Sequence, residues 1–138
     1  MNFSDGFLFK IHDMSIINFG IQRIKSFKPA IQGLKFLLKG EPNVVVHLVA
    51  TASAIVLGFI LQLTLIEWIL IILCITSVIG AEALNSGIEK TVDLVTKEHQ
   101  PLAGKAKDLA AAGVLIISLG ALITGILIFG SHVLQLIN

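Results

Sequence analysis

From Pro42 to Ile66 the chain runs for 25 residues without an Asp, Glu, Lys or Arg. Wound as a helix at about 1.5 Å per residue, that length covers the roughly 30 Å hydrocarbon core of a bilayer. A second uncharged run, Trp68 to Ala81, has 14 residues. It is too short to span alone, so its helix must continue through Glu82 and carry charge to the far surface. A third run, Leu109 to Asn138, again exceeds a membrane thickness. The expected fold is an all-α membrane protein with transmembrane helices over residues 42–62, 66–95 and 105–130. Residues 61–67 are expected to form a tight turn between antiparallel helices, with Glu67 and Trp68 in the interfacial belt.

Composition agrees: 55% of residues are hydrophobic, against about 45–50% in a soluble domain. A net charge of +1 argues against a nucleic-acid partner. The one cysteine, Cys74, lies in an apolar run, so neither an intramolecular disulfide nor a multi-thiolate metal site is available.

Ahead of the first span, residues 1–18 mix short apolar pairs with Asp5, Lys10 and Asp13. No positive segment precedes a continuous apolar core, so a loosely ordered extension is expected rather than a signal peptide. Residues 19–39 carry Phe19, Ile24, Phe27, Ile31, Leu34 and Leu38 at helical spacing, with Arg23, Lys25, Lys28, Lys35 and Lys39 between them. This predicts a basic amphipathic surface helix, with a break expected before Pro29. Residues 19–138 form the membrane domain. The ten basic residues all precede the first span or flank the second-to-third connection, so the N-terminus and that connection are expected on the cytoplasmic side. Thr96 to Gly104 reads as a loop punctuated by Pro101 and Gly104, and Ala110–Gly113, Gly120 and Gly125 offer small residues for close helix contact.

Ionisable groups at a bilayer boundary are costly, and each marks a functional hypothesis. On one helix, Glu82, Asn85, Glu89 and Asp93 fall on a stripe about 80° wide, with Glu82 and Glu89 about 10 Å apart along the axis. Glu41, at the entrance of the first span, is level with the Glu89 end. Two carboxylates from different helices beside an amide suit Mg²⁺, whose shell nucleotide phosphates often complete. Lys107 opens the last helix, where a cation and free N–H groups favour phosphate. Asp108 is placed to orient that lysine or help hold metal. Glu82, nearest the apolar zone, suits a proton acceptor for an alcohol delivered from the bilayer. The residues alone leave two readings open, phosphoryl transfer at an interface and an ion- or proton-coupled channel or transporter with Glu82 as relay. A third possibility is a non-catalytic membrane scaffold.

The segment Glu82-Ala-Leu-Asn85-Ser-Gly-Ile-Glu89-Lys-Thr-Val-Asp93, followed by Gly104-Lys-Ala-Lys107-Asp108, resembles the prokaryotic diacylglycerol kinase family, which includes the undecaprenol kinases. The resemblance covers about residues 20–130. It implies a homotrimer of three-span subunits in the bacterial inner membrane, with active sites shared between neighbours. It also implies ATP-dependent phosphorylation of a lipid alcohol, either diacylglycerol or undecaprenol. By the same resemblance Glu82 is the general base, and Glu41 and Glu89 hold the Mg²⁺ of MgATP. Asn85, Glu89, Lys107 and Asp108 contact the nucleotide, and Asp93 supports them. Two departures stand out. Glu41 is followed by P-N-V-V-V-H, placing His47 where the best-known diacylglycerol kinases have an acid, and the loop after Asp93 carries His99-Gln100-Pro101. The first leans towards the undecaprenol kinase branch.

Overall fold

A computed structural model describes residues 16–98 and 100–137. Residues 1–15 of the expected extension, and His99, lie outside the described residues. The fold is all-helical: α1 (Ile16–Gly40), α2 (Pro42–Ile60), α3 (Leu65–Val95) and α4 (Pro101–Ile137). The chain divides into two units, Met1–Phe36 and Leu37–Asn138. In the first, α1 runs through Pro29 without the expected break. Proline's fixed φ is compatible with a helix, which loses one backbone N–H bond there but continues. Both the basic side chains Lys25, Lys28 and Lys35 and the apolar Phe27, Ile31, Leu34 and Phe36 are exposed.

In the second unit, α2, α3 and α4 have 19, 31 and 37 residues and are each long and apolar enough to cross a membrane. At 1.5 Å per residue they measure about 28, 46 and 55 Å, so α2 just matches the hydrocarbon while α3 and α4 outreach it. Their surplus length carries the charged residues.

Local chemistry sets each boundary. Pro42 occupies the first turn of α2, where its missing N–H costs nothing. The C-terminus of α2 is closed by the turn that follows it: Leu63 N–H donates to the Gly58 carbonyl at 3.1 Å and Gln62 N–H to the Phe59 carbonyl at 3.3 Å, with Gln62 at φ 55°. This is a left-handed helix stop, and the Leu63 side chain folds back over Gly58. Thr64 then caps α3 in a reciprocal box. Glu67 N–H donates to Thr64 Oγ1 at 3.4 Å, and Thr64 N–H donates to Glu67 Oε2 at 2.8 Å. The connection is therefore shorter than the expected 61–67, and α3 begins at Leu65.

Pro101 likewise starts α4 instead of sitting in a loop, and Gly104 N–H bonds the Gln100 carbonyl at 3.0 Å within the first turn. The α3–α4 connection accordingly shrinks from 96–104 to 96–100. At its other end α4 continues to Ile137, past the expected limit of 130.

Helices α3 and α4 pack most extensively, with α2 against them. The main buried cluster, from which Leu37, Val44 and Val78 are buried apart, is small: Leu63, Ile71 and Ile128, with Ala54, Trp68, Ile75 and Phe129 around them. At this end Trp68 stacks obliquely on Phe59 with ring centres 4.9 Å apart. His132 Nε2 of α4 meets Glu67 Oε1 of α3 at 3.1 Å. Among the described residues, the glycines expected to make close contacts in α4 have no neighbour from another helix within 4 Å of where a Cβ would sit. Gly113 and Gly120 face open space, and Gly125 meets only Phe129 of its own helix. Close approach occurs at Gly58 instead, under Leu63 and Trp68.

Candidate active site

At the opposite end of the bundle from that core, the polar stripe of α3 passes from inside to outside. Glu82, Asn85 and Ser86 are buried at 3%, 7% and 7% exposure. Glu89 is half-buried, and Lys90 and Asp93 are exposed. The grading follows from helix periodicity. The same face that packs inside the bundle at Glu82 emerges three turns later beyond the packed region.

Among the described residues Glu82 forms no hydrogen bond or ion pair. Asn85 Nδ2 donates to Glu89 Oε1 at 3.2 Å, while Asn85 Oδ1 is buried without a partner. A buried acceptor left unpaired costs about 1–3 kcal/mol. A donor or cation arriving with a ligand would remove that cost.

Two cross-helix ion pairs flank these groups. Glu41 is the N-cap residue of α2, yet its side chain makes no capping bond and pairs with Lys90 Nζ of α3. Lys107 Nζ of α4 meets Asp93 Oδ1 of α3 at 2.5 Å. The lysine is thus held by Asp93. Asp108, expected to orient it, is exposed and pairs with nothing among the described residues. The site residues consequently form two groups: Glu82, Asn85 and Glu89 within α3, and the paired charges Glu41–Lys90 and Asp93–Lys107 that tie α2 and α4 to its outer turns. Sequence reasoning missed Lys90 and Ser86. Ser86 lies about 20° beyond the Asp93 edge of the stripe and Lys90 about 60° beyond it, on the side where α2 arrives.

Mg²⁺ prefers oxygen ligands and is usually held by one or two carboxylates, with phosphates and waters completing six. Glu41, Glu89 and the unpartnered Asn85 Oδ1 are such donors. Among the described residues no three His, Cys, Asp or Glu side chains gather into a metal cage. This donor set is of the kind that suits a hard ion whose shell is completed by phosphate oxygens.

An apolar groove of about 420 Å³ runs between α2, α3 and α4, lined by His47, Thr51, Cys74, Val78, Ser118 and Phe129 among others. His47 of α2 lines this groove. Val78, the lining residue of α3 nearest the site, lies one helical turn from Glu82, which does not itself line the groove. The Ser118 hydroxyl is buried without a partner beside it.

A sequence profile of the prokaryotic diacylglycerol kinase family matches residues 28–129. That span contains Glu41, Glu82, Asn85, Glu89, Lys90, Asp93, Lys107 and Asp108. An undecaprenol kinase of Bacillus subtilis is 41% identical over 105 residues, covering 76% of this chain and 85% of that protein. A diacylglycerol kinase of Escherichia coli is 38% identical over 84 residues, covering 61% and 69%. One of Helicobacter pylori is 47% identical over 83 residues, covering 59% and 61%.

Proposed function

The chain belongs to the prokaryotic diacylglycerol kinase family of lipid kinases, and from that premise we propose that it transfers the γ-phosphate of MgATP to undecaprenol, with Glu82 as proton acceptor. The observation that carries the reading is Glu82 itself, buried, unpaired and one turn from the end of an apolar groove. An alcohol whose chain lies in that groove brings its hydroxyl to the carboxylate. The hydroxyl oxygen forms the new bond to the γ-phosphorus, the bond from that phosphorus to the bridging oxygen breaks, and ADP leaves. The hydroxyl proton passes to Glu82.

Glu41 and Glu89 would hold the metal of MgATP, which supplies charge neutralisation on the phosphates. Asn85 positions Glu89 through its amide N–H and offers its free oxygen to the nucleotide complex. Lys107, held by Asp93, presents an ammonium to the phosphates, and Asp108 borders it at the opening turn of α4. Undecaprenol is favoured over diacylglycerol by the longer match to the Bacillus subtilis undecaprenol kinase, 105 residues against 84 and 83 for the Escherichia coli and Helicobacter pylori diacylglycerol kinases, and by the E-P-N…H arrangement at residues 41–47.

The distribution of basic residues supports a cytoplasmic N-terminus and site in the bacterial inner membrane, with α1 lying on the membrane surface. We take the functional unit to be a homotrimer, a reading supported by the extensive apolar surface that the three spans leave exposed. A proton- or ion-coupled relay is disfavoured because α2 carries no acidic residue from Pro42 to Ile60 and α4 none from Leu109 to Ile137. Glu82→Gln tests the assignment. It should lower lipid phosphorylation by at least about a hundredfold, the scale of losing a general base, while binding of MgATP measured by calorimetry stays close to wild type. Retained turnover would exclude Glu82 as the base.

A further inference from the structure

The ion pair between Glu41 and Lys90 is not required by either helix. The Glu41 carboxylate could cap its own helix and does not, because it is drawn across to α3. Lys90 also directly follows Glu89 on α3. The ammonium thus pairs with Glu41 of α2 from the position next to Glu89 of α3, and these two carboxylates, from different helices, are the proposed metal ligands.

Without a cation the like charges of Glu41 and Glu89 would push the start of α2 away from α3. A divalent ion shared between them would meet the same need, but it cannot coexist comfortably with an ammonium on the same carboxylate. The lysine is suited to give way. Its side chain is 65% exposed and its stem is long and flexible, so turning outward costs little.

We propose that Lys90 is a positioning residue that stands in for the divalent ion in the nucleotide-free protein, holding Glu41 towards α3 and yielding its place when metal arrives with nucleotide. This rests on the assignment of Glu41 and Glu89 as metal ligands. The consequence is a preference for metal delivered on a polyphosphate over free metal. Free metal must displace the ammonium unaided, whereas the phosphate oxygens of the complex offer the released ammonium a new partner.

The test is binding of Mn²⁺, followed by electron paramagnetic resonance on the full-length protein in detergent without nucleotide. Repulsion between a divalent ion and an ammonium about 6 Å away in a water-like medium is worth on the order of tenfold in affinity. Lys90→Met should therefore bind Mn²⁺ up to about tenfold more tightly than wild type. Lys90→Gln, which keeps a hydrogen-bond donor for Glu41 but no charge, should do the same, and Lys90→Arg should not. If the lysine only ties two helices together, both uncharged variants would lower the melting temperature slightly and leave Mn²⁺ affinity unchanged or weaker. That result overturns the proposal. Glu41→Gln separates the two levels of the argument. Weakened Mn²⁺ binding in this variant upholds the ligand assignment whatever Lys90 does, whereas unchanged binding overturns the assignment and the Lys90 proposal with it.

Discussion

Glu82 and Asp93 lie on one face of one helix, yet the first is buried without a partner and the second stands in solvent holding a lysine. That contrast separates their proposed roles. A carboxylate shielded from water suits proton transfer, and an exposed one suits placing a cation. The Asp93–Lys107 pair is well exposed, so its worth to stability is at most about 1 kcal/mol. Asp93→Asn should leave the melting temperature nearly unchanged while raising the KM for MgATP, by up to about tenfold, as Lys107 loses its fixed position. Titration of initial rates against MgATP checks this, and an unchanged KM would remove Asp93 from the site. The stripe Glu82-Asn85-Glu89-Asp93 was legible in the sequence because helical spacing alone puts it on one face beside uncharged runs. Lys90 was not, since its meaning depends on which helix comes to lie across from it. Neither was the holder of Lys107: adjacency in sequence suggested Asp108, but neighbours on a helix point about 100° apart, while Asp93 faces Lys107 from α3.

The helices themselves were legible from the uncharged runs, and their ends were less so. Pro101 read as loop punctuation but serves as a helix start, and the helix stop at Gln62 depends on a backbone conformation that no glycine advertised. The Thr64-x-x-Glu67 box was visible in the letters, yet Glu67 also fitted an interfacial position, and only the packing of α4 brings His132 to its second oxygen. The glycines of α4 suggested close packing, and the tightest glycine contact falls on Gly58 of α2. A Cβ there would meet Leu63 Cδ1 at 2.7 Å and Trp68 Cη2 at 2.8 Å. The leucine tip can shift, but the rigid indole, stacked on Phe59, has less freedom. Gly58→Ala should therefore destabilise the α2–α3 turn by about 1–3 kcal/mol, the usual cost of overpacking. Denaturant-induced unfolding in detergent micelles would measure it, and a neutral substitution would mean that the turn repacks freely.

At the scale of the whole molecule, three spans cover so little of one another that apolar side chains such as Leu115, Ile116, Leu122 and Leu127 of α4 face outward. Lipid can cover such a surface, and so can further copies of the chain. The proposed homotrimer predicts a chemically cross-linked ladder that ends at three subunits in mild detergent, and a ladder ending at one would refute it. The proposed activity joins every level: α3 carries a shielded carboxylate to the membrane edge, α2 and α4 bring charge to it, and the groove between them leads a lipid chain towards it. Transfer of labelled γ-phosphate from ATP to lipid by the purified protein in detergent, with undecaprenol and diacylglycerol supplied separately, tests this most directly. Label should enter undecaprenol preferentially and depend on Glu82. Label entering neither lipid, in protein shown to bind MgATP, would contradict the proposed reaction, and label entering diacylglycerol alone would contradict the proposed substrate.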